Sequence, residues 1–127
     1  MSLFDGIIGN ASEVDNSTIE KELEDILIPE ENVDLAFKLV RDLIIFTDYR
    51  LIIADKQGIT GKKAEYKSYP YKSISRFSVE TMGHFDLDAE FKIWISGATE
   101  PAESLEFRKD KNINDIQKAL AQAVLNQ

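Results

Sequence analysis

The sequence contains no cysteine, which excludes disulfide bonds, thiolate nucleophiles and thiolate-bound metals and is compatible with a reducing compartment. Histidine occurs once, at His84, so no second histidine completes a transition-metal site or a catalytic pair. No apolar run approaches the ~20 residues of a membrane span, and the N-terminus lacks the features of a signal peptide. We therefore expect a cytoplasmic, non-enzymatic protein without cofactor or metal.

The formal charge of −8 is unevenly distributed along the 127 residues, a length that suits one domain. Residues 1–34 contain ten acids and one lysine. Residues 56–76, which we call the basic band, contain six basic residues and one acid, Glu65. The pattern fits either a solvated face or a binding surface inside an acidic molecule.

Strands are predicted through the middle of the chain, over residues 31–109. Alternating apolar residues indicate a half-buried strand in VDLAFKLV, with Val33, Leu35, Phe37 and Leu39 on one face. RDLIIF and YRLIIAD follow, with a tight turn at Thr47 and Asp48, and KAEYKSY is a strand that Pro70 ends. ISRFSVET and SLEFRK, the latter with Leu105 and Phe107 inward, flank the clearest strand, FDLDAEFKIWIS. Its predicted inner face consists of Phe85, Leu87, Ala89, Phe91, Ile93 and Ile95.

Helices are predicted at both ends of the chain. Apolar residues recur at helical spacing over residues 112–126, with Asn112 as a candidate cap. These positions are Ile113, Ile116, Leu120, Ala123 and Val124. In the N-terminal segment, residues 1–30, Ser17 and Glu20 have the spacing of a capping box for a short helix through Leu23.

Seven antiparallel strands followed by one helix need that helix to close one opening of the barrel. The stretches GNASEVD, RDLIIFTDYRLIIADKQGITGKK, YPYKSISRFSVET and FDLDAEFKIWISG, in this order between about Leu3 and Leu125, resemble the bacterial pleckstrin homology (PH) domain family, formerly a domain of unknown function. The resemblance implies one PH-like domain over residues 1–127. Its fold would be mainly β (α+β by count), a two-sheet antiparallel barrel of about seven strands capped by a C-terminal helix. By analogy it implies ring-like homo-oligomers, with a pentamer as the expected size, but no established ligand.

Two local patterns suggest chemistry that the rest of the sequence does not support. QGITGKK resembles part of a phosphate-binding loop, but Lys56 occupies the position of the first glycine, Lys63 replaces the Ser or Thr, and a strand rather than a helix follows. We interpret it as a hairpin connection. Asp86, Asp88 and Glu90 share one strand face, yet no glycine-turned cage of oxygens surrounds them, so a solvated face is favoured over a cation site.

A candidate interface or ligand surface is suggested by aromatic and basic residues of the basic band together with one tryptophan on an otherwise polar strand face. Trp94 is either covered by its own chain or exposed in an interface. The N-terminal Leu3, Phe4, Ile7 and Ile8 must also pack somewhere. The complete candidate set is Lys62, Lys63, Tyr66, Lys67, Tyr69, Tyr71 and Trp94.

The expected function is a non-enzymatic module that forms a ring with copies of itself and binds an unknown protein or peptide at its surface or in an inter-subunit groove. In an opposing interpretation, the acidic segment folds back on its own basic band and the protein is a monomer. The alternative function is binding of a lipid headgroup or other anionic ligand through the basic band. Lys38 and Arg41 are the only cations at the first strand junction, where lipid-binding relatives have a basic loop, and the net charge disfavours membranes and nucleic acid.

Overall fold

The computed structural model describes residues 16–39, 42–57, 63–81, 88–108 and 113–126. Helix α1 precedes seven strands, and helix α2 follows them. The elements are α1 (Asn16–Glu22), β1 (Val33–Lys38), β2 (Asp42–Thr47), β3 (Arg50–Gln57), β4 (Lys63–Pro70), a 3-10 turn (Tyr71–Ser73), β5 (Ile74–Thr81), β6 (Asp88–Ile95), β7 (Glu103–Arg108) and α2 (Ile113–Leu125).

The strands form two antiparallel sheets. One has the order β1-β2-β3-β4 and the other the order β5-β6-β7, and α2 packs against β5 and the 3-10 turn. Thr47 closes the turn between β2 and β3, because its Oγ1 accepts hydrogen bonds from the backbone N–H groups of Tyr49 and Arg50. Pro70 ends β4 as predicted, since it has no N–H to continue the ladder. The predicted architecture of two sheets with a C-terminal helix is confirmed.

The inner core lies between the two sheets and α2. The predicted face of β6 is confirmed at Ala89, Phe91 and Ile93, which are buried there. The helical spacing of α2 is confirmed too. Its buried positions are Ile116, Ala119, Leu120 and Ala123, with Ile113 and Val124 partly buried beside them.

A second apolar cluster covers the outer face of the four-stranded sheet. Sheet residues that point away from the inner core, such as Leu43, Ile45 and Ile52, are buried against Ile19 and Leu23 of the N-terminal segment. Both faces of β2 and β3 are therefore apolar, which explains the nearly continuous apolar runs in RDLIIF and YRLIIAD. We call residues 16–32, which cover this face, the covering segment.

Two local predictions are wrong. The strand pairing shifts between Val33 and Leu35, and this irregularity places Val33 in the outer cluster while Leu35 joins the inner core. Helix α1 begins at Asn16, so Ser17 lies inside its first turn and is not the cap. The carboxylate of Glu20 instead accepts the backbone N–H of Val33 at 3.1 Å.

Several predictions concern residues outside the described ranges. They are the loop QGITGKK from Gly58 to Lys62, the cap at Asn112, the apolar set Leu3, Phe4, Ile7 and Ile8, and the residues His84, Phe85, Asp86 and Leu87. The side chains of Lys63, Asp88 and Phe107 also lie outside the described part.

Candidate functional site

The predicted surface residues do not form one site. Those on β4 alternate between the two faces of the strand, and Trp94 lies on the other sheet, in β6. Lys62 lies outside the described residues, and Lys63 is described only as the first residue of β4. Each remaining candidate has its own surroundings.

Tyr66 faces the outer cluster. Its ring packs half-buried beside the apolar residues under α1, and its hydroxyl donates to Oε2 of Glu22 at 3.1 Å. Tyr66 is thus in contact with the acidic covering segment of its own chain.

Lys67 and Tyr69 point to the opposite face and meet Glu103 at the start of β7. Nζ of Lys67 lies 2.8 Å from Oε2 of Glu103, and the Tyr69 hydroxyl donates to the same oxygen. Glu103 is only 5% exposed, so the two donors compensate a buried carboxylate. Burial lowers the pKa of Lys67, but the hydrogen bond and charge of Glu103, together with the charges of Glu65 and Asp55, outweigh it and the pKa is raised. We call these three residues the Glu103 network.

Tyr71 lies in the inner core and is 3% exposed. Its hydroxyl donates to the backbone carbonyl of Thr47 at 2.6 Å. Burial, followed by the nearby carboxylates of Asp34 and Asp48, raises the pKa of this hydroxyl. Tyr71 is therefore not at the surface of the folded chain, in contrast to its predicted place in the candidate set.

Trp94 is half-buried on the outer face of the three-stranded sheet. The guanidinium carbon of Arg76, on the neighbouring strand β5, lies 4.2 Å from the centroid of the indole ring, which is a cation–π contact. The indole Nε1 is buried and has no hydrogen-bond partner among the described residues. Trp94 is thus partly covered by its own chain and partly open, which is between the two predicted alternatives.

A buried carboxylate with several hydrogen-bond donors lies outside the predicted candidate set. The side chain of Glu31 is fully buried. Its carboxylate accepts hydrogen bonds from Nε and Nη2 of Arg50, each at 2.9 Å, and from the hydroxyl of Thr47 at 2.7 Å. Nη2 of Arg50 also donates to the carbonyl of Ile26 at 2.9 Å. Burial raises the pKa of Glu31, but the hydrogen bonds from Arg50, Thr47 and the Ile28 backbone outweigh it, so the pKa is lowered. We call Glu31, Arg50 and Thr47 the Glu31 network.

Nothing in the local sequence signals this pair, because Glu31 and Arg50 are nineteen positions apart and each resembles an ordinary surface residue. An acid two residues before the first strand and an arginine that opens the third are compatible with many other arrangements. Only the packing of the covering segment on the sheet brings the two side chains together.

An acidic cleft lies beside the Glu103 network. It is lined by Asp42, Glu90, Ser104 and Glu106. Burial, followed by repulsion from Asp55 and Glu103, raises the pKa of Asp42. Glu90 accepts a hydrogen bond from Ser104 and lies 3.7 Å from Nζ of Lys92. Among the described residues, no group of three or more histidine, cysteine or carboxylate side chains is arranged to hold a metal ion.

Two helices, α1 and α2, lie within the described residues. Neither α1 nor α2 combines the length and the apolar character needed to cross a bilayer.

A comparison with protein families decides the identity of the fold. The model of the family described as "Bacterial PH domain" matches residues 2–124. The chain belongs to the bacterial PH domain family. The resemblance noted in the sequence is thus confirmed over nearly the whole chain.

Relatives and solved structures agree with this family. The chain is 64% identical over 121 residues to the uncharacterised protein YjqA of Bacillus subtilis (95% of this chain, 97% of the relative), and 34% identical over 107 residues to YozO of the same organism (84% and 90%). Among solved structures, it is similar to a pleckstrin homology domain from Shewanella amazonensis, with 50% identity and a TM-score of 0.77 (87% of this chain, 99% of that one). These bacterial PH relatives establish the fold, and their names state no ligand.

Proposed function

We propose that this bacterial PH domain is a non-enzymatic interaction module that assembles with copies of itself into a closed ring. The family resemblance favours a pentamer. We further propose that a protein or peptide partner binds at its surface or in the groove between neighbouring subunits, and that the protein works in the cytoplasm, for which the lack of cysteine is the support.

The observation that carries the proposal is the set of sheet edges. Among the described residues, β1, β4, β5 and β7 each pair with one strand only. Such edges expose backbone donors and acceptors that natural proteins cover, charge or pair with another chain. The Glu103 network joins β4 to β7 through side chains, whereas β5 carries the exposed Ser75 and Arg76. An edge of this kind supports association with a second chain.

We also propose that the protein has no enzymatic role. The support is the chemistry of the charged groups among the described residues. The two buried carboxylates, Glu31 and Glu103, are compensated by Arg50 and by Lys67 with Tyr69. A catalytic acid or base needs access to a substrate proton, and these groups face partners of their own chain. Such ion pairs support a structural role.

The molar mass in solution tests the proposal. Size exclusion coupled to light scattering, at micromolar protein and about 0.15 M salt, is expected to give a multiple of the 14.4 kDa chain mass. A mass of one chain under these conditions would overturn the ring. Two variants then test whether the predicted surface residues contribute to assembly. They are Trp94→Ala and the double variant Lys62→Glu with Lys63→Glu. A variant that removes a contributing residue should have a lower molar mass than wild type.

A further inference from the structure

Two exposed apolar side chains lie around one buried carboxylate. Ile28 is 52% exposed and Tyr49 is 51% exposed, which is unusual for side chains of this size. The backbone N–H of Ile28 donates to Oε1 of Glu31 at 3.1 Å. The backbone N–H of Tyr49 donates to Oγ1 of Thr47, whose hydroxyl donates to Oε2 of the same Glu31. We call Ile28 and Tyr49 the Tyr49 patch.

The base of the Tyr49 patch is held by many hydrogen bonds. Arg50 binds both oxygens of Glu31 and the carbonyl of Ile26. On the other side, the backbone N–H of Asn32 donates to the carboxylate of Asp48. The backbone N–H of Asp48 in turn donates to the backbone carbonyl of Asn32. A surface preorganised in this way loses little backbone freedom when it binds, and tyrosine is among the residues that contribute most to interfaces.

The rim of the Tyr49 patch is acidic. Asp48 is exposed next to Tyr49 in the chain, and Glu30 is exposed two residues after Ile28. Glu24 and Asp25 are exposed in the turn after α1. Arg50, the nearby cation, is already engaged by Glu31. An occupant that matches this patch therefore combines apolar or aromatic surface with positive charge.

The same chain carries a surface of that chemistry on its other sheet. Arg76 is exposed and stacks on Trp94, and within the described part of the chain it forms no ion pair with a carboxylate. Lys72 is exposed in the 3-10 turn that leads into β5. By contrast, Lys67 pairs with Glu103, and Lys92 pairs with Glu80 and Glu90. We call Arg76, Trp94 and Lys72 the Trp94 surface.

We propose that the Tyr49 patch of one copy binds the Trp94 surface of a second copy. The inference rests on the proposed self-assembly and specifies the contact that produces it. Tyr49 and Ile28 meet the open part of the indole, while the acidic rim meets Arg76 and Lys72. Because the two surfaces differ and belong to different sheets, the contact is heterologous, and each added copy leaves one of each surface free until a ring closes.

Two single-surface variants and two matched controls test the contact. Tyr49→Ser alters one surface and Arg76→Glu the other. Leu125→Ser and Lys118→Glu change an exposed apolar residue and an exposed lysine on α2, outside both surfaces. Light scattering is expected to show that either surface variant weakens assembly at least about thirtyfold, as loss of a dominant contact does, while both controls keep the wild-type mass.

Mixing the two variants gives the decisive measurement. The Tyr49→Ser protein retains its Trp94 surface, and the Arg76→Glu protein retains its Tyr49 patch, so an equimolar mixture is expected to form a dimer with twice the 14.4 kDa chain mass and no ring. Circular dichroism melts check that each variant is folded. Should Tyr49→Ser not fold, Ile28→Ser tests the same patch.

The outcomes separate the two proposals. A monomeric wild type would overturn both the ring and this contact. An oligomeric wild type whose mass is unchanged in both surface variants would overturn the contact alone. Variants that dissociate but do not form a dimer when mixed would also overturn it, because a heterologous contact requires one intact interface in the mixture.

Discussion

The outer faces of the two sheets are built in opposite ways. That of the four-stranded sheet is apolar and lies beneath the covering segment, with Leu43, Ile45 and Ile52 buried. That of the three-stranded sheet is polar and carries Lys92 and, at one end, Trp94 under Arg76. The outer face of the four-stranded sheet is thus stabilised by burial under its own chain, whereas the exposed charge pairs on the other outer face contribute little to stability.

Some carboxylates of the covering segment form contacts within their own chain. Glu22 accepts from Tyr66, which lies in the basic band, and Glu31 binds Arg50, which lies outside it. These contacts are of the kind expected if the acidic segment folds back on its own chain. Complementarity between the N-terminal third and the basic band is therefore a weaker argument for a ring than it appears from the sequence, and the acidic rim of the Tyr49 patch is what remains exposed.

The largest expected effect comes from breaking the covered face. Leu23 is fully buried in the outer cluster, so Leu23→Ala should lower the free energy of unfolding by about 3 kcal/mol or more, from lost burial and the cavity that remains. Urea unfolding measures it. Leu125→Ala makes the same chemical change at a side chain that is 72% exposed and should cost at most about 0.5 kcal/mol. Equal effects would show that the covering segment does not stabilise the sheet.

The next effect concerns the ion pair that holds the covering segment. Glu31→Gln leaves Arg50 without its carboxylate in a partly buried place and should cost about 2–3 kcal/mol. Glu103→Gln is the matched change in the other network, where Lys67 is more exposed and several acids lie nearby, so its cost should be smaller. Urea unfolding of both variants ranks the networks. A larger cost for Glu103→Gln would contradict the ranking.

The pH dependence of stability sharpens the same comparison. The pKa of Glu31 is lowered in the folded protein from its ordinary value of 4.5, so its contribution is present above pH 4.5 and is lost as the pH falls toward the folded pKa. Wild type should therefore lose stability below about pH 4.5. The Glu31→Gln protein should lose less over the same range. Parallel melting curves for the two proteins from pH 7 to pH 3 would contradict this assignment.

The sequence predicted the fold well because the signals for it are local. Alternation in β6 and helical spacing in α2 each report the buried face of one element, and both are confirmed. The irregularity near Val33 was missed because one extra residue in a pairing leaves no mark in the pattern. The Glu31 network and the Arg76 contact with Trp94 join residues far apart in sequence, so they could not be predicted without the packing.

A smaller effect of opposite sign is expected in the acidic cleft. The pKa of Asp42 is raised by burial and by Asp55 and Glu103, so its negative charge opposes folding. Asp42→Asn should stabilise the protein at pH 7 by no more than about 0.5 kcal/mol, since the cleft is open and solvent screens the repulsion. The gain should disappear at low pH, where Asp42 takes up a proton. Thermal melts measure it against Glu100→Gln, an exposed control in the turn after β6, and a loss of stability would contradict the prediction.

The smallest expected effect tests whether the basic band or the Trp94 surface binds membranes. Vesicles that contain anionic phospholipids or a phosphoinositide should not retain the protein at about 0.15 M salt, because the net charge is −8 and Lys67 and Lys92 are already paired with carboxylates. Co-sedimentation measures retention. Binding that Lys62→Glu with Lys63→Glu abolishes would favour the lipid alternative at the basic band. Binding that Arg76→Glu abolishes would instead make the Trp94 surface a lipid site, and its occupant would then be a headgroup rather than a second copy.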